Sequence, residues 1–217
     1  MRKAILHLKK SDPVMRAIIE RIGPFRMEFG EPTFHSLAES IVYQQLNGKA
    51  AATIFKRFTD LAGDPLTPEG ILKLTPEQMR SVGLSKQKSS YLWDMAERAH
   101  RGELDFTRIH TMSDEEIIEH LTQVKGIGVW TAHMFLMFTL RRPDILPTGD
   151  FGIRMAMYKH YLDKARRNGS KSPAKARKRK IILPKPEQME KIAKSWAPYR
   201  SIACWYLWKS LDTKTIG

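Results

Sequence analysis

The chain has 217 residues, of which 42% are hydrophobic, so it can bury a core and a wholly disordered chain is excluded. A single cysteine, Cys204, excludes a disulfide scaffold, a four-cysteine iron–sulfur cluster and a cysteine-rich zinc site within it. The net charge of +14 favours a polyanion such as nucleic acid over a basic surface kept only for solubility. No apolar run reaches the roughly 20 residues of a membrane span, and the apolar stretch near the N-terminus is too short for a signal peptide.

Apolar residues recur at helical spacing along almost the whole chain, and no run alternates convincingly with period two. Caps, prolines and capping boxes mark the helix starts, which together predict an all-α fold. In chain order, the starts lie at Ser11-Asp12-Pro13, near Leu37, at Ala50, Thr67, Thr75, Ser85, Ser113, Val129, Phe151 and Pro186, with a last aromatic-rich helix over Trp196–Trp208.

Residues 163–217 carry 15 basic and four acidic side chains, a net +11, so most of the excess charge lies in the last quarter. Within them, residues 164–180 hold nine basic residues in seventeen and no large apolar side chain, which predicts a mobile loop. A phosphate-contacting arm, a nuclear targeting signal and a tolerated solvated insertion remain open for this segment.

The most informative stretch begins where a helix from Ser113 to about Gln123 runs into Val124-Lys125-Gly126-Ile127-Gly128. Two glycines one residue apart make a tight turn and let a phosphate approach the backbone, whereas an ordinary helix–helix turn is the plain alternative. The next helix, Val129–Leu140, is apolar nearly all round, which predicts that it is buried in the centre of the fold. Its first turn would point free N–H groups and a positive dipole end at the phosphate.

Asp150 comes just before the next helical pattern, Phe151–Leu162, and the residue pattern alone makes it an N-cap. The wider sequence resembles the helix-hairpin-helix, Gly/Pro-Asp superfamily of DNA base-excision glycosylases, whose signature is the hairpin followed about twenty residues later by a catalytic Asp. The hairpin matches are Leu121, Val124, Gly126, Ile127, Gly128, Thr131 and Ala132. Asp150 lies 22 residues after Gly128, where the family's catalytic Asp falls.

Further matches lie outside the hairpin. They are Ile41-Val42-Tyr43-Gln44-Gln45-Leu46, Val82-Gly83-Leu84-Ser85-x-x-Lys88 and Pro198-Tyr199-Arg200-Ser201-x-Ala203-x-Trp205-Tyr206-Leu207-Trp208. Bifunctional members carry a Schiff-base lysine where this chain has Trp130, and an indole cannot form an imine with the sugar. The sequence is therefore similar to the monofunctional 3-methyladenine DNA glycosylase II group, in the compact form without an N-terminal β-domain.

The resemblance implies roles for individual residues. Asp150 would be catalytic. The base pocket would be lined by Trp130, Trp208, Met134 and Tyr43, although core packing is the ordinary fate of a tryptophan. Met134 stands where some members have Tyr, which leaves the substrate range open. The DNA contacts would be Gln44, Gln45, Leu46, Asn47, Lys125, Gly126, Gly128 and Thr131, with Gln45 or Leu46 as the wedge that enters the base stack. Gln45 and Leu46 could instead belong to a helix C-terminus with a polar end.

No cofactor is expected for the chemistry, but the family implies a structural monovalent metal ion on the carbonyls of Thr122, Val124 and Ile127. We expect two helical lobes around a cleft that holds the hairpin and Asp150. Residues 1–33 with 147–217 would form one lobe, and residues 34–146, with the hairpin motif at about 113–140, the other. The expected partner is double-stranded DNA with alkylated bases. The protein is expected to act as a monomer, in the cytoplasm and nucleoid, or in the nucleus if the source is eukaryotic. A non-catalytic helix-hairpin-helix module and a glycosylase for another lesion are the alternatives.

Overall fold

The computed structural model describes residues 1–163 and 181–211. The expectations for residues 164–180 therefore lie outside the described residues. The described parts form helices joined by turns and contain no strand, which confirms the all-α prediction. The α-helices are α1 Arg2–Ser11, α2 Pro13–Ile22, α3 Phe34–Tyr43, α4 Gly48–Ala62, α5 Pro68–Leu72, α6 Pro76–Ser81, α7 Lys86–His100, α8 Asp114–Thr122, α9 Val129–Phe138, α10 Phe151–Met157, α11 Pro186–Ala193 and α12 Arg200–Lys209.

Side-chain caps fix where many of these helices begin, as the sequence predicts. Thr67 and Ser85 cap α5 and α7, and the capping boxes that begin at Thr75 and Ser113 form at α6 and α8. Such caps satisfy N–H groups that a helix cannot pair internally, each contributing about 1 kcal/mol.

Several helix limits differ from the sequence prediction: α1 was not predicted, α3 begins at Phe34 rather than near Leu37, and α9 ends at Phe138 rather than Leu140. Helix α4 begins at Gly48 rather than Ala50, because the Asn47 side chain accepts a 2.9 Å hydrogen bond from Ala50 N and caps it. The last aromatic segment is divided into a 3₁₀ turn at Lys194–Trp196 and α12, since Pro198 has no N–H to continue a helix. The helix after Asp150 is α-helical only to Met157 and continues as a π-helical turn.

The chain divides into two compact units, one formed by Met1–Met27 with Arg142–Gly217 and the other by Glu28–Arg141. In the first unit, α12 is buried along its length from Ser201 to Leu207. Its core also contains the carboxylate of Asp12, which accepts hydrogen bonds from the Tyr161 hydroxyl and from Trp196 Nε1 at 2.9 and 2.7 Å.

In the second unit, α3, α7 and α9 contribute the fully buried side chains of Leu37, Leu92 and Leu136. The prediction that α9 is buried all round is wrong for its first turn. Val129 is 53% exposed and Trp130 is 48% exposed, whereas the helix is buried from Thr131 onward on its core face. Hydrophobicity alone does not separate a residue of the core from one that faces a cavity, so the pattern could not show this.

Within residues 1–163 and 181–211, no helix has the length and apolar character needed to cross a membrane.

Candidate active site and nucleic-acid interface

The turn between α8 and α9 is held in place by two apolar side chains. Val124 and Ile127 are 1% and 4% exposed, and Ile127 N donates a 3.1 Å hydrogen bond to Val124 O. Gly126, between them, has φ +81°, and a Cβ there would overlap the ring of Tyr91. Only glycine therefore fits at position 126, because of its positive φ and the neighbouring Tyr91 ring, whether or not DNA is bound there.

Gly128 differs from Gly126. Its φ is −95°, and a Cβ added there would meet nothing within 4 Å. Folding does not require glycine at this position. Gly128 is the N-cap of α9 and offers no side chain to cover the first turn, so the positive end of the helix is open to an anion.

The predicted DNA contact Lys125 is engaged with a carboxylate on α7. Its backbone N donates to Asp94 Oδ2 at 2.9 Å, and its Nζ lies 3.4 Å from Asp94 Oδ1. Burial alone would raise the pKa of Asp94, but the hydrogen bonds from Lys125 and Arg98 outweigh it and leave that pKa below its usual value. The Lys125 side chain is 66% exposed, and its ammonium lies beside the turn within ion-pair distance of Asp94.

A cavity of about 570 Å³ opens between α3, the loop after it and the first turns of α9. Seven of the predicted site residues line it: Tyr43, Gln44, Gln45, Gly126, Trp130, Thr131 and Met134. Ser40 also lines it and was not predicted. The size is ordinary for a site that takes a small ring system. Trp130 lines this cavity and is 48% exposed, so it is not a residue of the core.

The loop Gln44–Asn47 is tied to the hairpin. Gln44 Nε2 donates a 3.1 Å hydrogen bond to Gly126 O. Gln45 has φ +58°, a left-handed conformation that is uncommon for a residue with a side chain and that often marks functional loops. Leu46 is 39% exposed, and Asn47 is occupied as the cap of α4.

Lys88 belongs to one of the matching motifs but had no predicted role. Its Nζ donates a 2.6 Å hydrogen bond to Val42 O at the end of α3, and burial lowers its pKa. With Ser85, Gln87, Tyr91 and the two glutamines of the loop, it lines a second, polar cavity of about 230 Å³ beside Gly126. The lysine thus supports the end of the helix from which the loop departs.

Asp150 lies in the other unit, at the N-terminus of α10, and is 8% exposed. Its Oδ1 accepts two hydrogen bonds, from Ile153 N at 2.7 Å and from Trp208 Nε1 at 2.8 Å. The prediction of an N-cap is therefore confirmed, and it is compatible with the catalytic prediction because both donors orient the carboxylate. The half-buried Trp208 thus donates a hydrogen bond to this carboxylate.

Two neighbours of Asp150 were missed from the sequence. A Cβ on Gly152 would lie 2.9 Å from Trp208 Cδ1 and 3.2 Å from Asp150 Oδ1, so glycine is what allows this indole to reach the carboxylate. Phe151 is 67% exposed directly after Asp150. The only available signal was their position beside the aspartate.

The three residues predicted to offer carbonyls to a metal ion all belong to the hairpin. Thr122 ends α8, and Val124 and Ile127 lie in the turn. The Val124 carbonyl already accepts from Ile127 N and retains a second lone pair. In the described part of the chain, no group of three or more His, Cys, Asp or Glu side chains is arranged to hold a metal.

Comparison with known proteins identifies the family. A family model described as HhH-GPD superfamily base excision DNA repair protein matches residues 38–184. The chain belongs to this superfamily. The match includes the loop after α3, the hairpin and Asp150, so the HhH-GPD resemblance predicted from these motifs is confirmed.

Relatives within the HhH-GPD superfamily agree in name. The DNA-3-methyladenine glycosylase 1 of Schizosaccharomyces pombe is 35% identical over 216 residues, which cover 96% of this chain and 86% of the relative. The DNA-3-methyladenine glycosylase of Saccharomyces cerevisiae is 33% identical over 203 residues, which cover 85% and 69%. The structure of the S. pombe 3-methyladenine DNA glycosylase in complex with abasic DNA matches with a TM-score of 0.77, 33% identity and 99% of both chains covered. That of a Bacillus halodurans DNA-3-methyladenine glycosidase matches with a TM-score of 0.79, 34% identity and 97% and 89% covered.

Proposed function

We propose that this protein is a monofunctional DNA glycosylase of base excision repair. It removes alkylated bases of the 3-methyladenine and 7-methylguanine type from double-stranded DNA and leaves an abasic site. The observation that carries the proposal is the Asp150 carboxylate, which two hydrogen bonds hold at a helix N-terminus. The chain also has Trp130 where bifunctional members of the superfamily have the Schiff-base lysine. The names of the relatives support the same activity.

Binding needs no sequence readout, because the hairpin offers backbone groups to a phosphate. The open N-terminus of α9 at Gly128 attracts the phosphate, and the basic chain adds long-range attraction. Gln45 and Leu46, exposed on a loop that Gln44 ties to the hairpin, are suited to fill the gap in the base stack when a nucleotide is flipped out.

The cavity beside Trp130 suits a flat cationic base. A purine methylated at N3 or N7 carries a positive charge, and an indole face attracts such a cation by about 0.5–2 kcal/mol. Met134 and Tyr43 complete an aromatic and polarisable wall. A neutral normal base gains less from the same contacts, which favours the damaged base.

Bond cleavage follows from the charge of the base. As the C1′–N bond breaks, its electron pair goes to the base nitrogen and neutralises the cation, so no strong general acid is needed. Positive charge then develops on the sugar, where the Asp150 carboxylate stabilises it. A water molecule adds to C1′ and releases a proton, giving the free base and the hydroxyl of the abasic sugar.

The strand stays intact because Trp130 has no amine to attack C1′. We further propose that the carbonyls of Thr122, Val124 and Ile127 hold a monovalent cation, for which backbone oxygens are suitable ligands. Such an ion would contribute positive charge toward a phosphate. We also propose that the protein acts as a monomer.

The test is to incubate the protein with duplex DNA that contains 3-methyladenine or 7-methylguanine. Released base is measured by chromatography, and strand breaks are measured with and without alkali. Base release with breaks only after alkali supports the proposal. Breaks without alkali would contradict the monofunctional mechanism, and tight binding of abasic DNA without release would favour another lesion or a non-catalytic module.

A further inference from the structure

Helix α7 contacts both the hairpin turn and the end of α3, from which the loop Gln44–Asn47 departs. Lys88, Tyr91 and Asp94 are three positions apart on this helix and therefore follow one another along one side of it. The Tyr91 ring packs directly against Gly126. The Asp94 carboxylate accepts a 2.9 Å hydrogen bond from the backbone N of the residue before that glycine. Two of the three side chains thus hold the hairpin, and the third holds α3.

Lys88 makes its contact where α3 ends. The last carbonyls of a helix have no partner within the helix. Val42 O accepts a 2.6 Å hydrogen bond from Lys88 Nζ, while the carbonyls on either side of it accept from Gln44 N and Leu46 N at 3.3 Å. A cation at this end of a helix is also favoured by the helix dipole. Lys88 is half-buried, and burial lowers its pKa, so the ammonium gives up part of its hydration to make the contact.

The backbone of the loop needs such support. Gln45 has φ +58°, a conformation that a residue with a side chain keeps only where its surroundings hold it. The contact of Lys88 fixes the chain before Gln45, and the cap that Asn47 provides to α4 fixes the chain after it. The hydrogen bond from Gln44 Nε2 to Gly126 O ties the loop to the hairpin turn. The loop is therefore held in one conformation beside the turn before any DNA binds.

We infer that Lys88 is a positioning residue for nucleotide flipping. It holds the end of α3 on the helix that also holds the hairpin, so the loop that fills the base stack and the turn that binds a phosphate keep a fixed spacing. This inference rests on the proposed glycosylase function and adds a residue that acts through the loop. Without the Lys88 ammonium, the loop occupies its supporting conformation less often, and the flipped nucleotide is less populated.

This role has a specific kinetic consequence. Excision requires the flipped nucleotide, so the single-turnover rate is proportional to the flipped fraction while that fraction is small. A 7-methylguanine paired with cytosine must break its pairing to flip, whereas one opposite an abasic analogue has no partner to leave and flips at lower cost. Loss of the loop support therefore slows the paired lesion more than the unpaired one. A defect in the chemistry, or a general loss of folded protein, slows both equally.

The test compares the unmodified protein with Lys88→Met, which keeps the length of the side chain and removes the ammonium. Single-turnover excision is measured at saturating protein with both duplexes. We expect a rate about tenfold lower for the paired lesion and no more than about threefold lower for the unpaired one. The Kd for undamaged duplex should stay within a factor of about three, because the hairpin is unchanged. Tm should fall by no more than about 4 °C. Lys88→Arg keeps a cationic donor and should recover most of the rate for the paired lesion.

Two further measurements separate the loop from net charge. Hydrogen exchange should be faster at Gln44 N and Leu46 N in Lys88→Met than in the unmodified protein, and unchanged along α9. The matched control Lys86→Met removes an exposed ammonium from the first position of the same helix. It should excise both lesions as the unmodified protein does.

Four results would overturn the inference. They are an equal fractional loss of rate on the two duplexes, a loss in Lys86→Met as large as in Lys88→Met, unchanged hydrogen exchange in the loop, and a fall in Tm well beyond about 4 °C, which would make Lys88 a support of the whole fold. Failure of the unmodified protein to release base from either duplex is a different result, because it would contradict the proposed glycosylase function itself.

Discussion

Trp208 Nε1 and Ile153 N donate hydrogen bonds to the same oxygen of Asp150, at 2.8 and 2.7 Å. The indole reaches this oxygen across Gly152, where a side chain would collide with it. The carboxylate is thus fixed by one backbone donor and one side-chain donor from a helix 58 positions away in sequence. Its orientation is set before any substrate binds, which is the arrangement expected of a group that stabilises developing positive charge.

Substitution of Asp150 by Asn should abolish excision and preserve the fold. The amide oxygen can still accept from Ile153 N and Trp208 Nε1, but it has no charge to stabilise the sugar cation. We expect the single-turnover rate of 7-methylguanine release to fall by at least about 10²-fold. Tm should stay within about 3 °C, and the Kd for abasic-site DNA within a factor of about three. Retained excision by this variant would show that another group acts on the sugar.

Replacement of Trp208 by Phe keeps a ring and removes only the N–H donor. We expect an approximately tenfold lower single-turnover rate with unchanged affinity for abasic DNA, since the carboxylate is less well oriented but the DNA contacts remain.

The matched control is Trp205→Phe in the same helix. Trp205 packs on Phe25 with ring centroids 4.7 Å apart, so this change should lower stability without slowing the chemistry. If both variants lost the same fraction of the rate, the indole N–H of Trp208 would have no special role.

Most of the residues in the hairpin part of the candidate site belong to local sequence motifs. Gly126, Trp130, Thr131 and Met134 could be predicted because one turn and the helix after it bring them together at fixed spacing. The contact between Asp150 and Trp208 could not be predicted, since it joins residues far apart in sequence and depends on the missing side chain of Gly152.

The apolar pattern of α9 led to one wrong prediction for a related reason. An apolar residue at the surface and one that faces the core fit the same apolar pattern, so the pattern did not show that Val129 and Trp130 are exposed. Glycine is also required at position 126 because of the Tyr91 ring on α7, a contact that sequence spacing does not show. In both cases the missing information is the packing between elements, whereas the helices themselves follow from local caps and periodicity.

The two hairpin glycines should respond differently to alanine. Gly126→Ala places a methyl group on the Tyr91 ring at a φ of +81°, so we expect a loss of about 2 kcal/mol in the free energy of unfolding. Gly128→Ala meets no neighbour, and we expect stability to change by less than about 0.5 kcal/mol.

Gly128→Ala should nevertheless weaken duplex binding by about tenfold, because the methyl group stands where a phosphate would approach the first turn of α9. Urea unfolding and fluorescence anisotropy measure the two quantities. Equal DNA affinity in Gly128→Ala and the unmodified protein would indicate that no phosphate approaches this backbone.

Tyr161 predicts how stability depends on high pH. Burial and the Asp12 carboxylate, to which its hydroxyl donates at 2.9 Å, raise the pKa of Tyr161 far above its ordinary value of 10.0. In the folded protein the phenol stays protonated, whereas in the unfolded chain it begins to ionise near pH 10. The stabilisation from this group is therefore fully present below about pH 10 and is lost at higher pH, by about 1.4 kcal/mol for each pH unit.

Tyr161→Phe isolates this contribution. At pH 7 the variant should be less stable by about 1 kcal/mol, because Asp12 loses one donor. Between pH 10 and 12 the free energy of unfolding should fall less steeply in the variant than in the unmodified protein. The two slopes should differ by about 1.4 kcal/mol for each pH unit, so the two curves converge and then cross. Urea unfolding at pH 7, 10, 11 and 12 measures both curves. Parallel curves over this range would mean that the Tyr161 phenol ionises equally in the folded and unfolded states, contrary to its buried contact with Asp12.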